Sequence, residues 1–422
     1  MERLEVIACF DWLDKEETIG CLGYDKLGDQ DFYSFEYANS WRKAHPDILL
    51  GTDLLPFVGK QYAESGKGIF GCFADSLPDY WGRLLIELKY RQTLNMKGRL
   101  TFSMSDWFYL KGVEDSLRTG GFRFKNLETG DYLNTTENYQ VPPVLSLGQL
   151  YEAAHEVEAK ELIQEEPDRW IERLFKPGSS VGGARPKACV TDGNYLYIAK
   201  FPAITDGWDM ARWEFFANKM AELCGIHTAK TEIVSLKPGH DIFLSRRFDR
   251  TADGKRIHMA SALSLLGLTL DNVYDMHHSY SEIADFIIAH GAHIEESLHE
   301  LYRRVALTIC IGNSDDHLKN HSFLLTKKGW VLSPVYDINP SIYRSHCLLI
   351  DGQSNESSLD RLYAAHDLYK IDEDTAYEII KDVTSKMTSW KDIASQCDIS
   401  DAEMERFADR FADGMSWRYS HS

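Results

Sequence analysis

The chain has 422 residues, of which 44% are apolar, so it is long enough for two or three domains with substantial cores. Its formal net charge of −19 and its pI near 5.2 oppose binding to nucleic acid phosphates, and its lysines and arginines are scattered rather than gathered in a basic patch. The first residues, MERLEVIACFDWLDKEE, lack the positive charge of a signal peptide, and no apolar run approaches the ~18 residues that a membrane span requires. We therefore expect a folded, cytoplasmic protein that contacts neither nucleic acid nor membrane directly.

The first part of the sequence predicts a small α+β module over residues 1–112. RLEVIACF and DFYSFEY are typical of strands, and SLPDYWGRLLIELKYRQ places apolar residues at helical spacing from Trp81 to Leu88. Residues 113–145 are rich in Gly, Asn and Thr and end in a proline pair, which is typical of a connecting segment. A helix, SLGQLYEAAHEVEAKELIQ, is predicted next. The eight cysteines lie far apart without a C-x-x-C pair, and we expect reduced, mostly buried thiols.

The segment GSSVGGARPKACVTDGNYLYIAKFP predicts a glycine-rich loop followed by two strands. Asp192-Gly193 is a strong signal for the turn that joins them. Because glycines have no Cβ, such a loop lets backbone amides approach phosphate oxygens. The alternative interpretation, a flexible surface loop, stays open on this signal alone.

Two charged residues near that loop are candidates for a nucleotide site. Lys200 ends the second predicted strand in Y-I-A-K, which is similar to the V-A-I-K strand of protein kinases. The next segment, MARWEFFANKMAELCGI, predicts a helix in which Glu214 lies beside the apolar stripe. Glu214 is a candidate ion-pair partner of Lys200. A surface lysine and an exposed glutamate are the alternatives.

The densest cluster of polar residues lies in GNSDDHLKNHSFLL, between an apolar helix and a predicted strand. Asp315 and Asn320 have the D-x-x-x-x-N spacing of a kinase catalytic loop, in which Asp accepts the proton of the substrate hydroxyl and Asn binds magnesium. A second strand, GWVLSPVYDI, is predicted to end at Asp337. These three residues predict a metal-phosphate site, because phosphoryl transfer needs oxygen ligands for Mg²⁺ and a carboxylate at the nucleophile. A solvated turn between helix and hairpin is the alternative.

These segments resemble those of the HipA-like serine/threonine kinases, the toxin components of bacterial toxin–antitoxin modules. GNSDDHLKNHSFLL with WVLSPVYDI is similar to the catalytic and metal-binding segments, SSVGGARPKA to the glycine-rich loop and RRFDR to the hinge, while SFEYANSW, LLPF and FADSLPDYWGR resemble the N-terminal module. The resemblance implies an α+β, two-lobed protein-kinase-like fold with a small α+β N-terminal module and a mostly helical C-terminal lobe. The implied divisions are an N-terminal module (1–112), a connecting segment (113–145), a kinase N-lobe (146–248) and a C-lobe (249–422).

The resemblance also implies roles for individual residues. It makes Asp315 the catalytic base, assigns Mg²⁺ to Asn320 and Asp337, and makes Ser180 the autophosphorylated residue, with Ser179 as its competitor. The residues implied to bind ATP are Gly182, Gly183, Ala184, Arg185, Pro186, Lys187, Lys200, Arg246, Arg247, Phe248, His317, Leu318, Lys319, Asn320, Tyr336 and Asp337.

The sequence departs from eukaryotic protein kinases, since it has neither G-x-G-x-x-G nor D-F-G, and Asp337 lies in VYDIN. It also departs from the family at Arg246, where members usually carry an acid. The implied partners are a protein substrate, with aminoacyl-tRNA synthetases as the class, and a helix-turn-helix antitoxin of the HipB type that makes the DNA contacts. Two other hypotheses stay open: a small-molecule phosphotransferase and a catalytically decayed kinase-fold binding protein.

Overall fold

Short strands and helices alternate along the chain in the computed structural model, which describes residues 1–94, 104–136, 139–163, 171–180, 183–237, 239–270 and 277–418. The strands are β1 (Glu2–Ala8), β2 (Glu17–Leu27), β3 (Gln30–Tyr37), β4 (Lys60–Tyr62), β5 (Phe122–Asn126), β6 (Lys187–Asp192), β7 (Tyr195–Lys200), β8 (Thr231–Ser235), β9 (Asp241–Arg246), β10 (Met259–Ser261), β11 (Ser322–Thr326) and β12 (Gly329–Leu332). The helices are α1 (Asn39–Ala44), α2 (Gly71–Ala74), α3 (Tyr80–Thr93), α4 (Asp106–Gly112), α5 (Leu147–Ile163), α6 (Ile171–Gly178), α7 (Met210–Leu223), α8 (Ala262–Leu265), α9 (Tyr280–His290), α10 (Ile294–Ile311), α11 (Leu359–Ala364), α12 (Glu373–Met387), α13 (Trp390–Gln396) and α14 (Asp401–Gly414).

The chain divides into two compact units. The first consists of Met1–Asp206, Ser235–Ala260 and Ser264–Thr269. The second consists of Gly207–Val234, Ser261–Leu263 and Leu270–Ser422. The four-part division that the sequence suggests stays a prediction.

An antiparallel five-stranded sheet in the order β4-β3-β2-β1-β5 begins the first unit. Its register pairs Leu4 with Leu22 and Leu22 with Phe35, and all three side chains are buried. Because alternate residues of a strand face the same side of the sheet, this pairing builds one apolar face. Helix α3 confirms the helix predicted from Trp81 onward, and Trp81 is buried.

A second sheet of the first unit contains the hairpin β6–β7 and the neighbouring strand β9. Asp192 pairs with Tyr195, so the two loop residues are Gly193 and Asn194, one position later than the predicted Asp192–Gly193 turn. Gly193 has φ +56°, which fits glycine at the first position of a type II′ turn. The predicted hairpin is therefore confirmed, and its turn is corrected by one residue.

The second unit is mostly helical around the buried helix α10. This helix packs against α9, α12 and α14, and nearly all of its last nine residues are buried. Helix α7 begins at an Asp209 cap and buries Trp213, Phe216 and Met220 of the predicted apolar stripe together with Glu214, while Leu223 near its end is exposed. The burial of Glu214 excludes the exposed glutamate that the sequence left open.

A hairpin of β11 and β12 follows α10 in the second unit. The prediction that the second strand continues to Asp337 is wrong, since β12 ends at Leu332. Pro334 has no N–H to donate to a strand ladder, and the Val335 N–H bonds the His227 carbonyl at 2.8 Å instead. Asp337 therefore lies in an irregular segment beyond the hairpin.

The cysteines carry no disulfide, and Cys72, Cys189, Cys224, Cys310 and Cys397 are buried, which confirms the prediction of mostly buried free thiols. Along the ranges that the structure describes, none of the helices combines the length and the apolar character needed to cross a bilayer.

Candidate active site

In the first unit, the glycine-rich loop is attached to the start of α3. The Gly183 N–H bonds the buried Asp79 carboxylate, and the Trp81 N–H donates to the Gly183 carbonyl at 3.2 Å. The Trp81 indole N–H also donates to the Lys187 carbonyl at 2.9 Å. The attachment through Asp79 was missed from the sequence, because the two segments lie about a hundred residues apart. Gly182 lies outside the described residues.

Gly183 occupies a position that only glycine fits without strain. Its φ is +88°, and a Cβ built there would lie 2.5 Å from the Lys187 ammonium nitrogen. The ammonium thus lies against the loop backbone. Because the Lys187 ammonium lies this close to the loop, backbone N–H groups of the loop and a positive charge could contact the same anion.

Two lysines flank this loop on neighbouring strands. Lys187 and Lys200 are directly opposite each other in the β6–β7 register. Opposite residues of an antiparallel pair point to the same face of the sheet. Two ammonium groups on one face favour a bound anion such as phosphate, which fits the predicted nucleotide contacts of both residues. Arg185 is held by Asp206, with Nη1 at 2.6 Å from Oδ1.

The side chains of the predicted hinge are engaged within the first unit. The Arg246 guanidinium lies 3.4 Å from the centroid of the Tyr195 ring. Arg247 is buried and donates to both Asp249 carboxylate oxygens, at 2.8 and 2.7 Å, and to the Leu117 carbonyl at 2.8 Å. Both guanidinium groups therefore have structural contacts, and nucleotide binding by Arg246, Arg247 and Phe248 stays a prediction.

Ser180 and Ser179 are both buried at the end of α6. The Ser180 hydroxyl lies 3.8 Å from the Cys189 sulfur, and the Ser179 hydroxyl donates to the Lys176 carbonyl at 3.2 Å. Ser179 thus forms a local hydrogen bond with the last turn of α6. A kinase could phosphorylate Ser180 only after this segment moves, because the hydroxyl has too little exposure to reach a phosphoryl group.

In the second unit, Asp315 and Asn320 lie at the two ends of one short loop. Helix α10 ends at Gly312, whose φ of +68° turns the chain out of the helix. The buried Asn320 amide donates to the Asp315 carbonyl at 3.1 Å. The Tyr336 hydroxyl donates to the Lys319 carbonyl at 2.6 Å, which ties the loop to the segment before Asp337. One hydrogen bond therefore joins the two ends of the loop, and another joins the loop to the segment that carries Asp337.

Asp315 is solvent-exposed, but its surroundings disfavour the charged form. Desolvation by the surrounding protein, and then the charges of Asp337 and Asp316, raise the pKa of Asp315, while His317 acts in the opposite direction. The influence of Asp337 places the two carboxylates near one another. A carboxylate with a raised pKa is a better proton acceptor, as a general base requires.

The neighbouring Asp316 was missed from the sequence, although it is the buried member of the pair. Its carboxylate accepts hydrogen bonds from the Tyr280 hydroxyl at 2.8 Å and the Thr308 hydroxyl at 3.2 Å, and lies 3.1 Å from the His321 ring. Burial alone would raise the pKa of Asp316, but His321 and the Tyr280 hydrogen bond outweigh it and lower the pKa. Asp316 thus anchors the loop while Asp315 faces solvent. The adjacent pair Asp315-Asp316 in the sequence was the signal that could have identified Asp316.

Asp337 has an unusual backbone conformation for an aspartate, with φ +58°. Its carboxylate accepts a hydrogen bond from the Asn339 amide at 3.2 Å. Left-handed backbone at a non-glycine residue is uncommon and costs free energy, so the fold holds Asp337 in this geometry against its preference. Asn339 was also missed from the sequence.

The donor set of this loop region fits Mg²⁺ better than a transition metal. Over the described part of the chain, no three His, Cys, Asp or Glu side chains lie close enough together to form a metal cluster. An asparagine oxygen and an aspartate suit Mg²⁺, which takes one or two protein ligands and completes its shell with substrate phosphates and water. Asn320 and Asp337 therefore fit the predicted ligands.

The remaining residues that were predicted to bind ATP are divided between the two units. In the first, Pro186 accepts a backbone hydrogen bond from Phe201 at 2.9 Å, and Ala184 lies beside Gly183. In the second, His317 and Leu318 lie in the loop, where the His317 carbonyl accepts the Asn320 N–H at 2.9 Å. Lys200 belongs to the first unit and Glu214 to the second, and their pairing stays a prediction.

Comparison with known proteins gives similarity to HipA-like proteins in sequence and in fold. The toxin YjjJ of Escherichia coli is 25% identical over 178 residues, which are 39% of this chain and 39% of YjjJ. The serine/threonine-protein kinase toxin HipA of Shewanella oneidensis is 23% identical over 215 residues, 43% of this chain and 48% of that protein. The alignments with four curated relatives span only 33% to 48% of the relatives' own lengths.

A solved structure supports the same fold. The Shewanella oneidensis HipA chain, solved in complex with HipB and operator DNA, superimposes with a TM-score of 0.64 at 16% identity, covering 98% of this chain and 96% of that one. The model of the HipA-like C-terminal domain matches residues 179–391, just over half of the 422 residues. The α+β, kinase-like fold predicted from the sequence is confirmed, and the chain belongs to the HipA-like family.

Proposed function

We propose that this chain is an ATP-dependent serine/threonine protein kinase that acts as the toxin of a toxin–antitoxin pair in the cytoplasm. The observation that carries the proposal is the loop in which the Asn320 side-chain amide donates to the Asp315 carbonyl, while desolvation and then the charge of Asp337 raise the pKa of Asp315. A base and two magnesium ligands on adjoining segments suit phosphoryl transfer, in which positioning and electrostatics do most of the work. Similarity to the HipA kinase toxin supports the proposal.

In this mechanism Asp315 accepts the proton of the attacking hydroxyl. Asn320 and Asp337 would hold Mg²⁺, and the bound ion would supply neutralisation of charge on the phosphates. Lys187 and Lys200 would bind phosphate oxygens of ATP. A phosphate contact of Gly183 stays a prediction, because its N–H bonds the Asp79 carboxylate in this structure. The acceptor is a serine or threonine of a protein, and aminoacyl-tRNA synthetases are the substrate class that the family resemblance implies.

The first test is phosphotransfer by the purified chain with ATP and Mg²⁺, with products identified by mass spectrometry. Phosphate on a protein hydroxyl supports the kinase. Phosphate on a small molecule alone supports the small-molecule phosphotransferase, and nucleotide binding without any product supports a decayed kinase-fold protein. The retained Lys200, Asp315, Asn320 and Asp337 argue against decay.

We expect autophosphorylation at Ser180. After prolonged incubation with ATP and Mg²⁺, wild type and Ser179→Ala should each gain one phosphate, and Ser180→Ala should gain none, as read by intact mass. A phosphate adds about −1.5 to −2 charges near the loop that carries Gly183, so it should repel the phosphates of ATP and weaken ATP binding. Because Ser180 is buried, phosphorylation should also hold the segment out of its present position.

Modification of Ser179 instead of Ser180 would contradict the site assignment. Phosphorylated protein that still binds ATP as tightly as unmodified protein would contradict the inactivation mechanism while leaving the site correct.

We further propose that a helix-turn-helix antitoxin binds this chain and makes the DNA contacts. The solved HipA relative is in complex with HipB and operator DNA, and the net charge of −19 opposes direct phosphate binding by this chain. In gel-shift measurements at ~150 mM salt, the chain alone should leave operator DNA unshifted and should shift it only with the antitoxin. Tight operator binding by the chain alone would contradict this division of roles.

A further inference from the structure

The helix α14 carries a buried arginine to the end of α10, where the loop with Asp315 begins. Arg410 is only 4% exposed. Its guanidinium donates from Nη2 to the Ile309 carbonyl at 3.1 Å and to the Ser357 hydroxyl at 2.6 Å, and from Nε to the Tyr343 carbonyl at 2.8 Å. One side chain thus joins three separate segments of the second unit. The family match ends at residue 391, so α14 lies beyond it.

Two glycines make room for this guanidinium. A Cβ at Gly312 would lie 2.7 Å from Arg410 Nε, and a Cβ at Gly414 would lie 2.9 Å from Nη1. Gly312 is also the residue whose left-handed conformation starts the catalytic loop. The Arg410 guanidinium therefore packs directly against the backbone turn that leads to Asp315.

A hydrogen-bond chain extends from Arg410 into the loop. The Ser357 hydroxyl, which accepts from Arg410, lies 2.9 Å from His346 Nε2, and His346 Nδ1 lies 3.0 Å from the Asn313 carbonyl. His346 is buried, and burial lowers its pKa to about 4, so the ring is neutral at physiological pH. A neutral ring that donates from Nδ1 to a carbonyl must accept at Nε2 from Ser357.

A second set of contacts holds the other side of the turn. The Ser341 hydroxyl donates to the Gly312 carbonyl at 2.7 Å and lies 2.8 Å from the Ser314 hydroxyl. Ser341 lies two residues before Tyr343, whose carbonyl Arg410 binds. Residues 312–314 are therefore held on one side by His346, which reaches Arg410 through Ser357, and on the other by Ser341, which lies in the segment that Arg410 binds at Tyr343.

We propose that Arg410 is a positioning residue for phosphotransfer, which holds the backbone from Gly312 to Ser314 so that Asp315 is aimed at the substrate hydroxyl. The proposal rests on the kinase function proposed above. An arginine suits this place because its planar fork reaches several acceptors at once and its charge complements the carbonyl end of α10, which a lysine ammonium cannot match in geometry.

The test compares Arg410→Gln and Arg410→Lys with Arg406→Gln, a matched control on the same helix. Arg406 is exposed and contacts the Gly207 carbonyl and the Trp208 ring rather than the catalytic loop. At a temperature well below the melting midpoint of every variant, both Arg410 variants should lose ~10- to 100-fold in kcat with unchanged ATP affinity, since misplacing a reacting group by about 1 Å has effects of this size. Arg406→Gln should retain wild-type kcat.

Hydrogen exchange gives a readout that does not depend on activity. Amides from Asn313 to Asn320 should exchange faster in Arg410→Gln than in wild type, while those of α12 should not change. If wild type shows no phosphotransfer, the kinase proposal fails, and faster exchange limited to the loop would still support positioning by Arg410. Wild-type kcat in folded Arg410→Gln, or equal losses of kcat and ATP affinity, would overturn the positioning role.

Discussion

Replacing Asp315 with alanine is expected to lower the rate of phosphotransfer by at least ~100-fold, the low end for loss of a positioned general base. ATP binding should persist, because Asp315 is proposed to contact the acceptor hydroxyl rather than the nucleotide. The rate and the ATP affinity are measured separately, by initial-rate kinetics and by equilibrium titration. Asp392→Ala, an exposed aspartate on α13, is the matched control and should keep the wild-type rate.

Asp337→Ala should behave differently from Asp315→Ala because it removes a proposed metal ligand. We expect weaker ATP binding in the presence of Mg²⁺ and little change without Mg²⁺. The same titration with and without the metal therefore separates the two roles. Full activity in Asp315→Ala would refute its assignment as the base, whatever the result at Asp337.

The second large effect concerns the stability of the first unit. Asp249 is buried between Arg247 and Arg250, with Arg250 Nη1 at 2.8 Å from Oδ2, and it also accepts the Gly120 N–H at 3.0 Å. Asp249→Ala would leave two buried guanidinium groups without their carboxylate. Breaking a buried ion pair in this way lowers the free energy of unfolding by ~3–5 kcal/mol, which urea-induced unfolding measures.

The control for Asp249 lies four residues along the chain. Asp253 is exposed and accepts a hydrogen bond from the Thr251 hydroxyl, so Asp253→Ala should leave the free energy of unfolding close to the wild-type value. A loss of similar size in both variants would contradict the special role of Asp249.

The contribution of Asp249 should also depend on pH. Burial alone would raise the pKa of Asp249, but the guanidinium groups of Arg247 and Arg250 outweigh it and hold the pKa well below its usual range. A carboxylate with a lowered pKa in the folded state stabilises above its unfolded pKa of about 3.9 and loses that contribution as pH falls. The stability difference between wild type and Asp249→Asn should therefore shrink below about pH 4.

Patterns that are local in the sequence predicted much of the fold. The stripe of α7, the hairpin of β6 and β7 and the D-x-x-x-x-N loop all follow from residues within a few positions of one another. Backbone preferences and side-chain periodicity act over such distances, so one sequence carries their signal. The D-x-x-x-x-N spacing and the later Asp337 suggested a metal-phosphate site, and the family resemblance then implied the individual roles of Asp315, Asn320 and Asp337.

The contacts that the sequence did not reveal join residues that are distant in the chain. Arg247, whose contact with ATP stays a prediction, donates to the Leu117 carbonyl, which is 130 residues away. Arg410 lies 101 residues from the Ile309 carbonyl that it binds.

Whether a buried charge binds a ligand or supports the backbone depends on which acceptors the fold brings to it. A buried charge without a partner is strongly unfavourable, so a buried arginine or aspartate pairs with the groups that the fold brings next to it. Those groups can be distant in the sequence, so only the tertiary structure identifies them. The pattern of charged and apolar residues thus located the loop that is proposed to carry phosphotransfer. Only the three-dimensional packing showed that Asp316 anchors this loop, that Asp249 pairs with buried arginines of the first unit, and that Arg410 binds the carbonyl end of α10.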